Sequence, residues 1–163
     1  MNATLVAAVI RRLSLIFGLL IGTMWMGEVL FGNLGDTAVL GNVRTLHFHA
    51  YRAIGWSFIC GALAFTALSG FYGAYRTGDF SVALQVAIWS GLISGTITLA
   101  TLMVMTTVFL DALRQSPSDL AEFAKSGDGS FFHYLYRDAL AGGLNHLWIG
   151  PALGVILGEL VQQ

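Results

Sequence analysis

Six residues at a strict spacing of four form a mixed polar and glycine stripe near the C-terminus: Asp138, Gly142, His146, Gly150, Gly154 and Gly158. On an α-helix this spacing keeps them on one slowly drifting face. An imidazole there can carry protons near neutral pH or ligate a metal. A glycine face lets a flat ring approach the backbone, so His146 with Gly142, Gly150 and Gly154 could seat a haem or chlorin. Gly143 and Asn145 widen and polarise the gap, and Pro151 removes a backbone donor one turn beyond the histidine.

Two other arrangements could do chemistry. His47 and His49, together with His133, Glu28 and Asp111, form a nitrogen and oxygen set of the kind that binds zinc, copper or iron. His47 and His49 are two apart and share a face only in extended chain. Glu28, Asp111, Asp138 and His146 could instead relay protons into a membrane, where ionisable groups are costly and face protein or water.

The simplest occupant of a glycine groove is another helix, with no cofactor. His146 then hydrogen-bonds across to a backbone carbonyl, to Glu28, or to a threonine among Thr96, Thr98, Thr101, Thr106 and Thr107.

The elements carrying these residues are apolar. The 163 residues are 56% hydrophobic and only 10% charged, against roughly a quarter charged in soluble domains. Residues 13–34, 53–75, 82–110 and 138–160 each read as a run long enough to cross a bilayer, which takes about 20 residues. The runs are continuous, as in Leu99–Leu110, and so exclude alternating barrel strands. These spans predict an all-α integral membrane protein, a single domain over residues 1–163, with four helices in an up-down-up-down bundle. Arg11 and Arg12 before the first run resemble the opening of a signal peptide. The run continues through Met24, Trp25 and Met26 without a small-residue cleavage site, so it reads as a retained helix.

Small-residue pairs mark the packing faces. Gly18 and Gly22 on the first span, Gly91 and Gly95 on the third, and Gly158 on the fourth are expected to admit neighbouring helices closely. The strings around the first two pairs are alike, but the likeness stops there and does not predict a repeat. Gly78 and Asp79 predict a tight turn between the second and third spans. Ser116-Pro117 predicts the start of a short amphipathic helix, ended by Gly127, that lies on the membrane surface or docks a partner. Tyr134 and Tyr136 read as an interface belt, and Trp148, inside a span, as packed against protein.

This span assignment puts all four histidines and most carboxylates on the side opposite the termini. Net charge is −1, so there is no basic surface for nucleic acid. Cys60 stands alone, which excludes an internal disulfide. Motifs for hydrolases, zinc proteases or phosphate binding are absent. The expected role is a non-catalytic subunit or accessory component of a larger membrane complex. It would sit in a bacterial cytoplasmic membrane with other subunits or copies of itself, its termini in the cytoplasm on the strength of the Arg11–Arg12 pair. The alternatives are a redox protein using His146 and a proton or ion transport component.

Overall fold

The computed structural model describes residues 3–160, with side chains described through residue 153. The described chain is helical and contains no strand. Four long helices are α1 (Ala3–Leu34), α3 (Phe48–Thr77), α4 (Phe80–Val108) and α7 (Phe131–Leu160). Three short ones are α2 (Val43–Leu46), α5 (Leu110–Leu113) and α6 (Pro117–Ser126). Among the described residues, α1, α3 and α4 are long and apolar enough to cross a membrane.

Local chemistry sets the ends. The Asp79 carboxylate accepts the Ser81 N–H at 2.8 Å and starts α4, while Gly78 at φ 64° stops α3. Ser116 Oγ accepts the Asp119 N–H at 3.4 Å, Pro117 occupies the first turn of α6, and Gly127 at φ 73° ends it. Gly41 and Asn42 both take left-handed backbone, at φ 64° and 54°, and reverse the chain ahead of α2. Asparagine tolerates that region better than most residues.

The long helices run past the apolar limits. Helix α1 begins ten residues before residue 13, and α7 begins seven before residue 138. Charged residues such as Arg11, Arg12 and Arg137 end a hydrophobic run but not a helix, because arginine is a good helix former.

Helix α4 is central and touches α1, α3 and α7, with its broadest contact on α7. The register is regular. Gly18 receives Ile93 and Gly22 receives Ile97, so α1 and α4 run parallel, offset by a constant step. Gly91 meets Gly150 and Pro151, Gly95 meets His146 and Leu147, and Leu99 meets Gly143, so α4 and α7 run antiparallel. Gly73 against Ala83 closes the α3–α4 hairpin. The two similar glycine strings therefore serve different purposes. Those of α1 accept isoleucine side chains, and those of α4 accept a helix backbone.

Candidate functional site

The stripe on α7 divides in two. The carbonyl of His146 and the Cα of Leu147 each lie 2.9 Å from where a Cβ on Gly95 would stand. The Gly91 carbonyl oxygen lies 2.9 Å from a Cβ position on Gly150. Main chain of α4 thus fills the space beside Gly143 and Gly150, leaving no slot there for a flat ring. Gly142 is looser, with Leu102 at ordinary contact distance of 3.8 Å. Gly154 and Gly158 lie outside the described side chains.

The His146 ring points away from α4, toward α1. It meets Trp25 edge-on, with centroids 5.1 Å apart, and Glu28 is within electrostatic reach. Nδ1 lies 2.9 Å from the Gly142 carbonyl oxygen, four residues back on its own helix. A carbonyl only accepts, so Nδ1 is the donor and Nε2 is the ring nitrogen not used in this bond. The bond is intrahelical rather than to a neighbouring helix. The threonines named as partners are all engaged elsewhere. Thr96, Thr98, Thr101, Thr106 and Thr107 each donate to a carbonyl of α4.

The metal set does not assemble. Among the described residues no group of three or more histidine, cysteine, aspartate or glutamate side chains is close enough to hold an ion. His47 precedes α3 and His49 stands in its first turn, where helical geometry sends residues two apart to different faces; both are exposed, as is His133. Asp111 is 92% exposed and pairs with Arg114 at 3.3 Å. Its carboxylate is turned to the surface and is engaged there by Arg114.

The polar groups that do converge lie at the far end of the bundle, beneath α6. Asp36 pairs with Arg44 at 3.0 Å and accepts the Ser118 hydroxyl of α6 at 3.2 Å. Tyr134 of α7 donates to Glu122 of α6 at 3.1 Å. Between them is a cavity of about 220 Å³ lined by Asn33, Arg44, Asp119, Glu122, Tyr134 and Asp138, among others. Arg137 and Asp128, paired at 2.8 Å, tie the α6–α7 turn to α7. Phe123 folds inward onto Phe131 and Tyr134, with centroids at 5.4 and 5.8 Å. The apolar edge of α6 thus seats partly on the bundle itself, while Leu120 stays exposed.

This cavity is electrostatically one-sided. Asp119, Glu122 and Asp138 line it with one guanidinium, that of Arg44, which is itself paired with Asp36 beside the cavity. Burial raises the Asp119 carboxyl above its ordinary range; the Ser116 hydrogen bond opposes this, and nearby Glu122, Asp36 and Asp138 add to it. Asp119 Oδ2 is buried without a hydrogen-bond partner. Burial and the bond to Glu122 push the Tyr134 phenol up to about 12. Tyr134 is only 7% exposed, so it belongs to this cluster and not to an interface belt.

The hydropathy spans group most carboxylates on one side but do not reveal that Asp119, Glu122 and Tyr134 converge with Asp36, Arg44 and Asp138. The available signal was the i, i+3 spacing of Asp119 and Glu122 on a helix whose start was already marked by Ser116-Pro117.

A second feature lies on the outer face of α7. Asn145 is exposed and makes no hydrogen bond among the described residues. One turn on, Trp148 is 79% exposed and finds no packing partner within the described chain. Comparison with protein-family models, with curated proteins and with solved structures finds no match for this chain.

Proposed function

We propose that this protein is a non-catalytic subunit or accessory component of a larger membrane complex. In this reading α7 joins α1, α3 and α4 as a fourth span, the bundle runs up-down-up-down, and the outer face of α7 meets the partner. The observation carrying it is Asn145 beside Trp148. A carboxamide facing hydrocarbon loses its hydrogen bonds to water and is satisfied best by another helix. A fully presented indole next to it supplies contact area of the kind that anchors interfaces. The proposed setting is a bacterial cytoplasmic membrane with the termini inside, supported by the exposed Arg11–Arg12 pair.

Native mass spectrometry of the tagged chain, taken from its own membrane in mild detergent, tests this. Additional protein masses are expected, with Asn145→Leu and Trp148→Ala each weakening their retention. A monomer without any added mass would overturn the subunit reading.

A second reading, a redox cofactor on His146, is supported by one observation. The Nδ1 bond to a carbonyl leaves Nε2 as the free nitrogen, the arrangement in which ligating histidines are held. The ring would lie on the α1 side, near Trp25, because α4 occupies the glycine side. A visible absorption band that disappears in His146→Ala would favour it. A colourless parent protein with no small-molecule mass would remove it.

A further inference from the structure

Helix α6 is held to the bundle by few contacts, and its inward side brings negative charge toward negative charge. Ser118 reaches Asp36, Glu122 reaches Tyr134, and Phe123 packs onto Phe131 and Tyr134. Against these, seating α6 brings Asp119 and Glu122 to the cavity that Asp138 also lines, next to Asp36. From the α1–α2 turn the charged group is Asp36 and from α2 it is Arg44; from α7 the titratable groups are Tyr134 and Asp138. Helix α4 contributes Leu102, Met105 and Thr106, and α1 contributes Gly32 and Asn33, none of which titrates. Arg44 is already engaged by Asp36 at 3.0 Å. Asp119 Oδ2, buried with no donor, is the least compensated atom in the cluster.

We propose that α6 is an acid-closed latch over this cavity, seated when Asp119 is protonated and loosened when it ionises among Asp36, Glu122 and Asp138. A protonated Asp119 removes one like charge and keeps Glu122 within reach of the Tyr134 hydroxyl. An ionised Asp119 must either be hydrated, which requires α6 to lift, or stay buried against three neighbouring carboxylates. Lifting α6 opens the cavity to the aqueous side without disturbing the α1, α3, α4 and α7 contacts, since α6 touches only α7 among the long helices to any extent.

The sign follows from linkage. Burial first, then the neighbouring carboxylates, hold Asp119 above its ordinary value of 3.8 when α6 is seated. Seating is therefore fully supported below 3.8 and is lost as pH rises through the raised value. One proton is released on opening, so the closing equilibrium changes by at most about tenfold per pH unit within that window.

Hydrogen exchange of the full chain in lipid nanodiscs, corrected for the intrinsic pH dependence of exchange, tests this. Amides of α6 are expected to be more protected at pH 4.5 than at pH 8, while amides of α4 stay equally protected. Asp119→Asn should hold α6 at its low-pH protection throughout. Asp138→Asn should move the transition to lower pH by relieving one facing charge. Phe123→Ala should reduce protection at every pH, showing that exchange reports seating. Equal protection of α6 at both pH values in the parent chain, or a pH dependence that persists in Asp119→Asn, would overturn the latch.

Discussion

His146 and Tyr134 show how local geometry decides what a polar side chain can do. Each was visible as a residue type, and each took a partner that its spacing did not announce. His146 bonds the carbonyl four residues behind it, because that acceptor is always present on a helix and requires no second element. Its removal therefore breaks a bond within one helix and a ring contact with Trp25. His146→Ala is expected to cost about 1–2 kcal/mol in a thermal or denaturant unfolding assay in detergent. A loss well above that would mean that Nε2 holds something further. Tyr134 donates to Glu122 across two elements, and its proton is held up to about 12. While α6 is seated the phenol's value lies above the ordinary 10.0, so the bond's contribution is complete below pH 10 and disappears as pH approaches 12. In an Asp119→Asn background, which keeps α6 seated, Tyr134→Phe should remove one late-titrating phenol from an ultraviolet absorbance titration and lower stability by about 1 kcal/mol at neutral pH. An unchanged titration curve would place the high-pH phenol elsewhere.

The elements were more legible than the contacts between them. Hydrophobic runs located all four long helices, and Gly78, Asp79, Ser116, Pro117 and Gly127 marked ends that local hydrogen bonding then set. The true starts at Ala3 and Phe131 were hidden, since a hydropathy reading stops at Arg11 or Arg137 while the helix does not. Which glycines meet which helix was not legible at all. Gly91 and Gly55 are both helical glycines in apolar sequence, yet their surroundings are opposite. A Cβ on Gly91 would run into the backbone of Gly150 and Pro151, whereas one on Gly55 would meet nothing within 4 Å. Gly91→Ala should therefore separate α4 from α7 and cost about 1–3 kcal/mol or more. Gly55→Ala should be neutral or stabilising by up to about 1 kcal/mol through helix propensity. Parallel melting curves of the two variants check this, and equal destabilisation would mean that the α4–α7 contact is not close.

At the scale of the whole molecule, the dominant feature is the separation of polar groups to one end. The α3–α4 turn carries Arg76 and Asp79, while the cavity, all four histidines and the ion pairs of Asp36, Asp111 and Asp128 lie toward the other end or part-way along. If α7 crosses the membrane as proposed, residues near Gly78 and a reporter placed after Gln163 share one side, and the segments around Val39 and Gly129 share the other. The single native thiol makes this testable. Cys60 lies midway along α3 and is exposed on its outer face, so it is removed first. In a Cys60→Ser background, Thr77→Cys should be labelled by a membrane-impermeant maleimide only from the cytoplasmic side. Val39→Cys and Gly129→Cys should be labelled only from the opposite side. Labelling of Thr77→Cys from outside would reverse the orientation and leave the bundle intact. A reporter after Gln163 on the same side as Gly129 would remove α7 as a span. Asn145 would then face an interface or water, and its need for a partner helix, which carries the proposed function, would vanish with it.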